Sequence, residues 1–74
     1  MENQIYLAII WIVNGKNIIL DGLFPTRQPD MDTCEQRQAA AIEYITNNNI
    51  VEKVVGADSF KVLCGTLEQI TQQL

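Results

Sequence analysis

The sequence predicts an α+β fold. The expected form is a small antiparallel sheet led by an N-terminal β-hairpin, with one main helix packed on one face and a short C-terminal helix. Three observations carry this. Asn14-Gly15 separates two apolar runs within residues 4–24. Apolar residues recur at helical spacing from Cys34 to Ile45, behind acidic capping residues. Residues 60–64 then alternate between two faces. The implied order is β-β-α-β-β-α within a single domain, residues 1–74.

The hairpin comes first. Asn and Gly tolerate the positive φ that a type I′ turn needs at both central positions, and Asn-Gly between apolar runs is the strongest local hairpin signal. With a two-residue loop, Val13 faces Lys16, Trp11 faces Ile18, Ile9 faces Leu20, Leu7 faces Gly22 and Ile5 faces Phe24. Side chains alternate with period two, so these pairs share one face, called here the Trp11 face. The Ile10 face carries Ile12 with Asn17, Ile10 with Ile19, Ala8 with Asp21 and Tyr6 with Leu23. The Trp11 face is nearly all apolar and is the expected core. The Ile10 face is too apolar for a solvated surface. Apolar patches of this kind mark association surfaces, so Tyr6, Ile10, Ile12, Ile19 and Leu23 are the expected interface of a homo-oligomer. The alternative is cover by a second helix or by the C-terminus.

After the hairpin, Pro25 and Pro29 stop strand pairing. A helix follows, with Asp32 as N-cap and Glu35 completing a capping box, or with Asp30 and Thr33 as the alternative frame. Cys34, Gln38, Ala41, Ile42 and Ile45 share its inward face, and alanines at 39, 40 and 41 favour the helix. The asparagines at 47–49 end it, because Asn tolerates the left-handed cap conformation. Residues 50–55 fit helical spacing better than strict alternation, whereas their β-branched content and the preceding Asn run argue for a third strand; the order above takes the strand and leaves the helix as its alternative. Residues 56–59 form a turn. Phe60, Val62 and Cys64 then occupy one face of the last strand, with Lys61 and Leu63 on the other. Thr66 opens the final helix with Gln69 in capping-box position, and Leu67, Ile70 and Leu74 form its apolar stripe.

Composition limits function. Five basic against nine acidic residues give a net charge of −4 and a pI of about 4.4, without the basic stripe that nucleic acid requires. Ile5 to Val13 is too short for a membrane helix, which needs about 20 apolar residues. The first four residues lack the basic region of a signal peptide, so the expected location is cytoplasmic. There is no His, which removes the Ser-His and Cys-His pairs of nucleophilic catalysis. Two cysteines without His cannot complete a zinc site. Asp30 and Asp32 lack the remaining ligands of a calcium loop and read as caps. No cofactor is expected.

Two site hypotheses remain. As a sequestering protein, the chain can hold a small anionic, phosphate-bearing ligand between protomers, where the loop runs into the helix N-terminus, by Thr26, Arg27, Arg37 and Lys16; against it, the local carboxylates repel phosphate. Cys34 in the first helical turn is the remote catalytic candidate, opposed by Asp32 and Glu35 and by the missing base. If the helix covers the sheet, Cys34 and Cys64 can meet and form a disulfide, but a reducing cytoplasm favours two buried thiols. Trp11, Phe24 and Phe60 read as core, whereas Tyr6 and Tyr44 lie off the core faces and suit an interface.

Phe24-Pro25-Thr26, Cys34-Glu35-x-Arg37 and Phe60-Lys61-Val62-Leu63-Cys64 together resemble small proteins of tailed phages with a strand, FPT loop, Cys-helix, Cys-strand layout. The resemblance covers about half the chain and carries no assigned activity. The chain departs from it in lacking a hydrophobic leader, which argues against an exported, disulfide-bonded form. The resemblance implies a phage accessory factor that works by binding a host protein or sequestering a small molecule. The expected function is therefore a non-catalytic, self-associating binding protein.

Overall fold

The computed structural model describes residues 4–19 and 25–74. The elements are β1 (Ile5–Val13), β2 (Lys16–Ile18), β3 (Thr26–Gln28), α1 (Met31–Asn47), α2 (Ile50–Lys53), β4 (Ala57–Gly65) and α3 (Leu67–Thr71). The fold is α+β, an antiparallel sheet with an N-terminal hairpin, a main helix and a short C-terminal helix.

β1 is the central strand. β4 pairs along one side of it. The other side is shared, with β2 at the turn end and β3 at the opposite end. The hairpin register is the expected one where it is described: Val13 with Lys16, Ile12 with Asn17 and Trp11 with Ile18. Asn14 and Gly15 both adopt positive φ, 53° and 79°, as a two-residue type I′ turn demands. Leu20, Asp21, Gly22, Leu23 and Phe24 lie outside the described residues. At that end of β1 the observed partners are Thr26 for Leu7 and Gln28 for Ile5. The third strand is thus the short β3 between the two prolines. Pro25 and Pro29 bound this strand rather than exclude it, since both fall just outside the paired residues.

Residues 50–53 are helical, not a strand. Asn49 enters the left-handed region at φ 51°, so α2 starts directly from the turn that closes α1. The helical spacing of Ile50 and Val51 prevails over their β-branching. Gly56, at φ 81°, lies where an added Cβ would stand 3.3 Å from Val13 Cγ1. The register shift between Ile12 and Val13 makes Asp58 an extra residue in β4, a bulge.

The N-cap of α1 is Asp30, whose Oδ1 accepts from the Thr33 amide at 2.7 Å; Asp32 lies inside the first turn. The inward stripe is Cys34, Gln38, Ala41 and Ile45, with Cys34 and Ile45 buried, and Ile42 turns outward at 42% exposed. α1 covers the Trp11 face. Leu7 pairs with Cys64, and Cys64 is bonded to Cys34, with Cα atoms 6.1 Å apart across 30 residues. The structure thus joins the two thiols that the sequence reading kept reduced. Such a loop closure contributes about 3–4 kcal/mol in the chain-entropy view, a large share for a chain whose core is this small. Trp11 and Phe60 meet with ring centroids 5.8 Å apart. Among the described residues the buried indole N–H of Trp11 has no acceptor, a desolvation cost of about 1–3 kcal/mol that packing must offset.

The Ile10 face is covered from within the chain. Ala8 and Ile10 are 2% and 0% exposed, and Ile70 of α3 is 2% exposed. Thr66 and Gln69 form the expected capping box at the start of α3. Beyond α3, the Gln73 carbonyl accepts from Asn17 Nδ2 at 2.6 Å, and its side-chain oxygen lies 3.4 Å from Lys61 Nζ. Asn17 and Lys61 are cross-strand partners of Ile12 and Ile10, so the C-terminal segment lies over this face.

Candidate functional site

Within one chain, the three cations and one hydroxyl expected around an anion are dispersed. Lys16 opposes Val13 and Thr26 opposes Leu7. Six strand residues at about 3.3 Å each separate those positions, so Lys16 is about 20 Å from Thr26. Arg27 opposes Tyr6 and therefore projects on the Ile10 face. Arg37 stands on α1, over the Trp11 face. There its Nη1 donates to Oε1 of the buried Gln28, while Gln28 Nε2 donates to the Thr26 carbonyl at 3.2 Å. Arg37 thus ties α1 to β3. The helix N-terminus already holds a carboxylate: the Thr33 amide bond draws Asp30 below its ordinary pKa, with Arg37 adding a smaller pull. These residues do not converge on one site.

An open groove of about 420 Å³ lies between β4 and α3, lined by Leu63, Cys64, Gln69, Ile70, Gln72 and Gln73. Its lining is uncharged and offers no cation for a phosphate. Among the described residues no group of three His, Cys, Asp or Glu can hold a metal ion. None of the described helices is long and apolar enough to cross a membrane.

The expected interface is redistributed. Ile10 is fully buried beneath the C-terminal segment and presents nothing to a partner. Ile12 and Ile19 are half-buried. Tyr6 is half-buried, and its hydroxyl donates to Gln4 Oε1 at 3.0 Å. Leu23 lies outside the described residues. Cys34, the candidate nucleophile, is 0% exposed and disulfide-bonded. Its sulfur lies 3.6 Å from the Tyr6 carbonyl oxygen, a packing contact, since a disulfide sulfur carries no proton.

The surface that sequence reasoning missed is the outer edge of β4. Val13 and Lys16 flank the two-residue turn and form a hydrogen-bonded pair, as that turn requires. Alternation then turns the backbone groups of Ile12, Ile10, Ala8 and Tyr6 toward β4. Their partners Ser59, Lys61, Leu63 and Gly65 turn toward β1. The backbone groups of Phe60, Val62 and Cys64 therefore point outward, and no strand lies beyond them among the described residues. One of these groups is capped: Gln38 Nε2 donates to the Val62 carbonyl. A polar residue inside the inward stripe of α1 was the available signal. Such a residue needs a partner, and a sheet edge supplies one.

No family model, curated protein or solved structure matches this chain.

Proposed function

We propose that this chain is a non-catalytic binding protein that self-associates, a second copy adding its β4 antiparallel to the outer edge of β4. One observation supports the reading above others. β4 is nine residues long, and among the described residues no strand pairs its outer side, where Gln38 caps the Val62 carbonyl. A strand edge of that length templates further pairing. Antiparallel addition of β4 to β4 is isologous, so one surface serves both copies and the assembly closes as a dimer. The route through the Ile10 face gives way to this edge because Ile10 is sealed within the fold. Cys34 is buried and the chain has no His to serve as its base, which supports a non-catalytic role whether or not the disulfide is intact. Resemblance to tailed-phage proteins extends the reading to a host protein, whose exposed strand takes the place of the second copy. The proposal places the chain in a cytoplasm, where thiols are kept reduced, and so makes its disulfide a conditional bond.

Light scattering across concentration tests this, read together with amide hydrogen exchange. The expected result is a rise from 8.4 kDa to twice that mass, with the amides of Phe60, Val62 and Cys64 slowing in step. A constant 8.4 kDa, or a dimer that protects amides elsewhere, overturns it.

A further inference from the structure

α1 and β4 run antiparallel and are tied by two rungs. Cys34 is bonded to Cys64, and one turn later Gln38 Nε2 donates to the Val62 carbonyl. Four helical residues advance about 6 Å and two strand residues about 6.6 Å, so the rungs are in register. A third tie, Arg37 to Gln28, lies at the same end of the helix. Past Gln38 the inward stripe offers only the half-buried Ala41 and the buried Ile45, while Ile42 and Tyr44 face solvent at 42% and 63% exposed. α1 is therefore held mainly through its N-terminal half, and the one covalent tie is there. Continuing the same spacing sets Ala41 and Ile42 level with Phe60 and its cross-strand partner Trp11, the only tryptophan of the chain. β1 and β4, in contrast, pair with each other from Tyr6 and Gly65 to Val13 and Ala57, independently of α1.

We propose that the Cys34–Cys64 bond is a redox latch, whose reduction lets α1 lift from the sheet and bares the Trp11 face while the β1–β4 pairing persists. The reductant is a dithiol. One of its thiolates attacks a cysteine sulfur, forms a mixed disulfide and expels the other cysteine as a thiolate. Its second thiolate then attacks the mixed disulfide, closes the reductant's own disulfide and expels the remaining cysteine. Two electrons pass to the protein, and the two protons released by the dithiol end on Cys34 and Cys64. With the covalent rung gone, Gln38 and Arg37 are left to hold the helix by hydrogen bonds that water can replace. The latch goes beyond the self-association proposed above and does not depend on it.

The test compares oxidised wild-type protein with protein reduced by excess dithiothreitol under native conditions, the reduction being verified by iodoacetamide labelling and mass. Amide exchange and iodide quenching of Trp11 fluorescence are then read on both. The expected result is a loss of protection in α1 many-fold greater than the uniform loss that β1 and β4 share from the weaker fold, and a several-fold rise in quenching, with β1 and β4 amides still protected. A C34S/C64S double variant should reproduce the reduced pattern without reductant. Unchanged α1 protection and quenching after verified reduction overturns the latch. So does a loss of β1 and β4 protection equal to that of α1, since the bond is then only a staple for the whole fold. A native protein that dithiothreitol cannot reduce, or a double variant that keeps the oxidised pattern, overturns it equally.

Discussion

The two faces of the sheet are covered in opposite ways. The Trp11 face lies under α1, a helix of 17 residues with a disulfide at one end. The Ile10 face lies under α3, a helix of five residues, and the short tail after it, held by Ile70 and Gln73 without a covalent bond. Yet the smaller cover seals at least as well, with Ile10 at 0% exposed against 2% for Trp11. The length of a covering helix is therefore not what decides. Ala8 and Ile10 present a low aliphatic surface that one inserted Ile70 can close. The stripe that α1 offers contains Gln38 and Ala41, which supply little apolar area, so that cover relies on a bond.

Mutations can break this comparison. The largest effect is expected for Ile10→Ala, which leaves a cavity under α3 and should cost about 4 kcal/mol in urea unfolding. A loss no larger than the roughly 0.5 kcal/mol of a surface substitution would mean that the C-terminal segment does not close this face. Replacing both cysteines, as C34A/C64A, should cost about 3 kcal/mol by the loop-closure argument. The loss should be matched by reducing wild-type protein, which separates the bond from the side chains. A smaller effect is expected at the start of α3. Thr66→Ala removes the oxygen that accepts from the Gln69 amide at 3.2 Å, and about 1 kcal/mol should be lost. Exchange at the Ile10 amide should quicken with it if α3 and its cap act as one unit.

The same two faces mark how far the sequence could be read. The Asn-Gly turn, its register and the α3 capping box were legible because each depends on residues close in the chain. Both faces of β1 were assigned correctly by period two, but cover of the Ile10 face by the C-terminus stood only as the alternative to self-association. Ile70 and Gln73 lie more than fifty residues from Ile10 and Asn17, and nothing local tells an apolar face awaiting a partner from one closed by the chain's own end. β3 was missed for a related reason. Its partners Ile5 and Leu7 had already been assigned to Gly22 and Phe24 by extending the hairpin, and three residues between two prolines gave no alternation to compete. At residues 50–53 helical spacing and β-branching pointed in opposite directions, and the spacing was the signal that held. The anion site is not assembled within one chain. Arg27 and Arg37 are ten residues apart and both near the loop, yet strand alternation and the helix put them on opposite sides of the sheet. The disulfide was seen as sterically available and set aside on redox grounds, which concern surroundings rather than sequence.

The two covers also differ in how their helices begin, and this gives the smallest and most selective prediction. α3 starts from Thr66, a neutral cap, whereas α1 starts from Asp30, an exposed carboxylate. The Thr33 amide bond is the main cause that lowers the Asp30 pKa below 3.8, with the Thr33 side chain and Arg37 contributing further. A carboxyl whose folded pKa is depressed stabilises the fold fully above its unfolded value, and that contribution is lost as pH falls through the folded value. Acid should therefore loosen the first turn of α1 and leave the first turn of α3 as it was. Exchange at the Thr33 amide, relative to the Gln69 amide, should rise below about pH 3.8 and stay level above it. In Asp30→Asn the cap keeps its acceptor oxygen and loses its charge, so the acid step should vanish while the helix still starts at the same residue. An acid step that persists in Asp30→Asn would assign it to another carboxyl, and the two helix starts would then be alike in their response to acid.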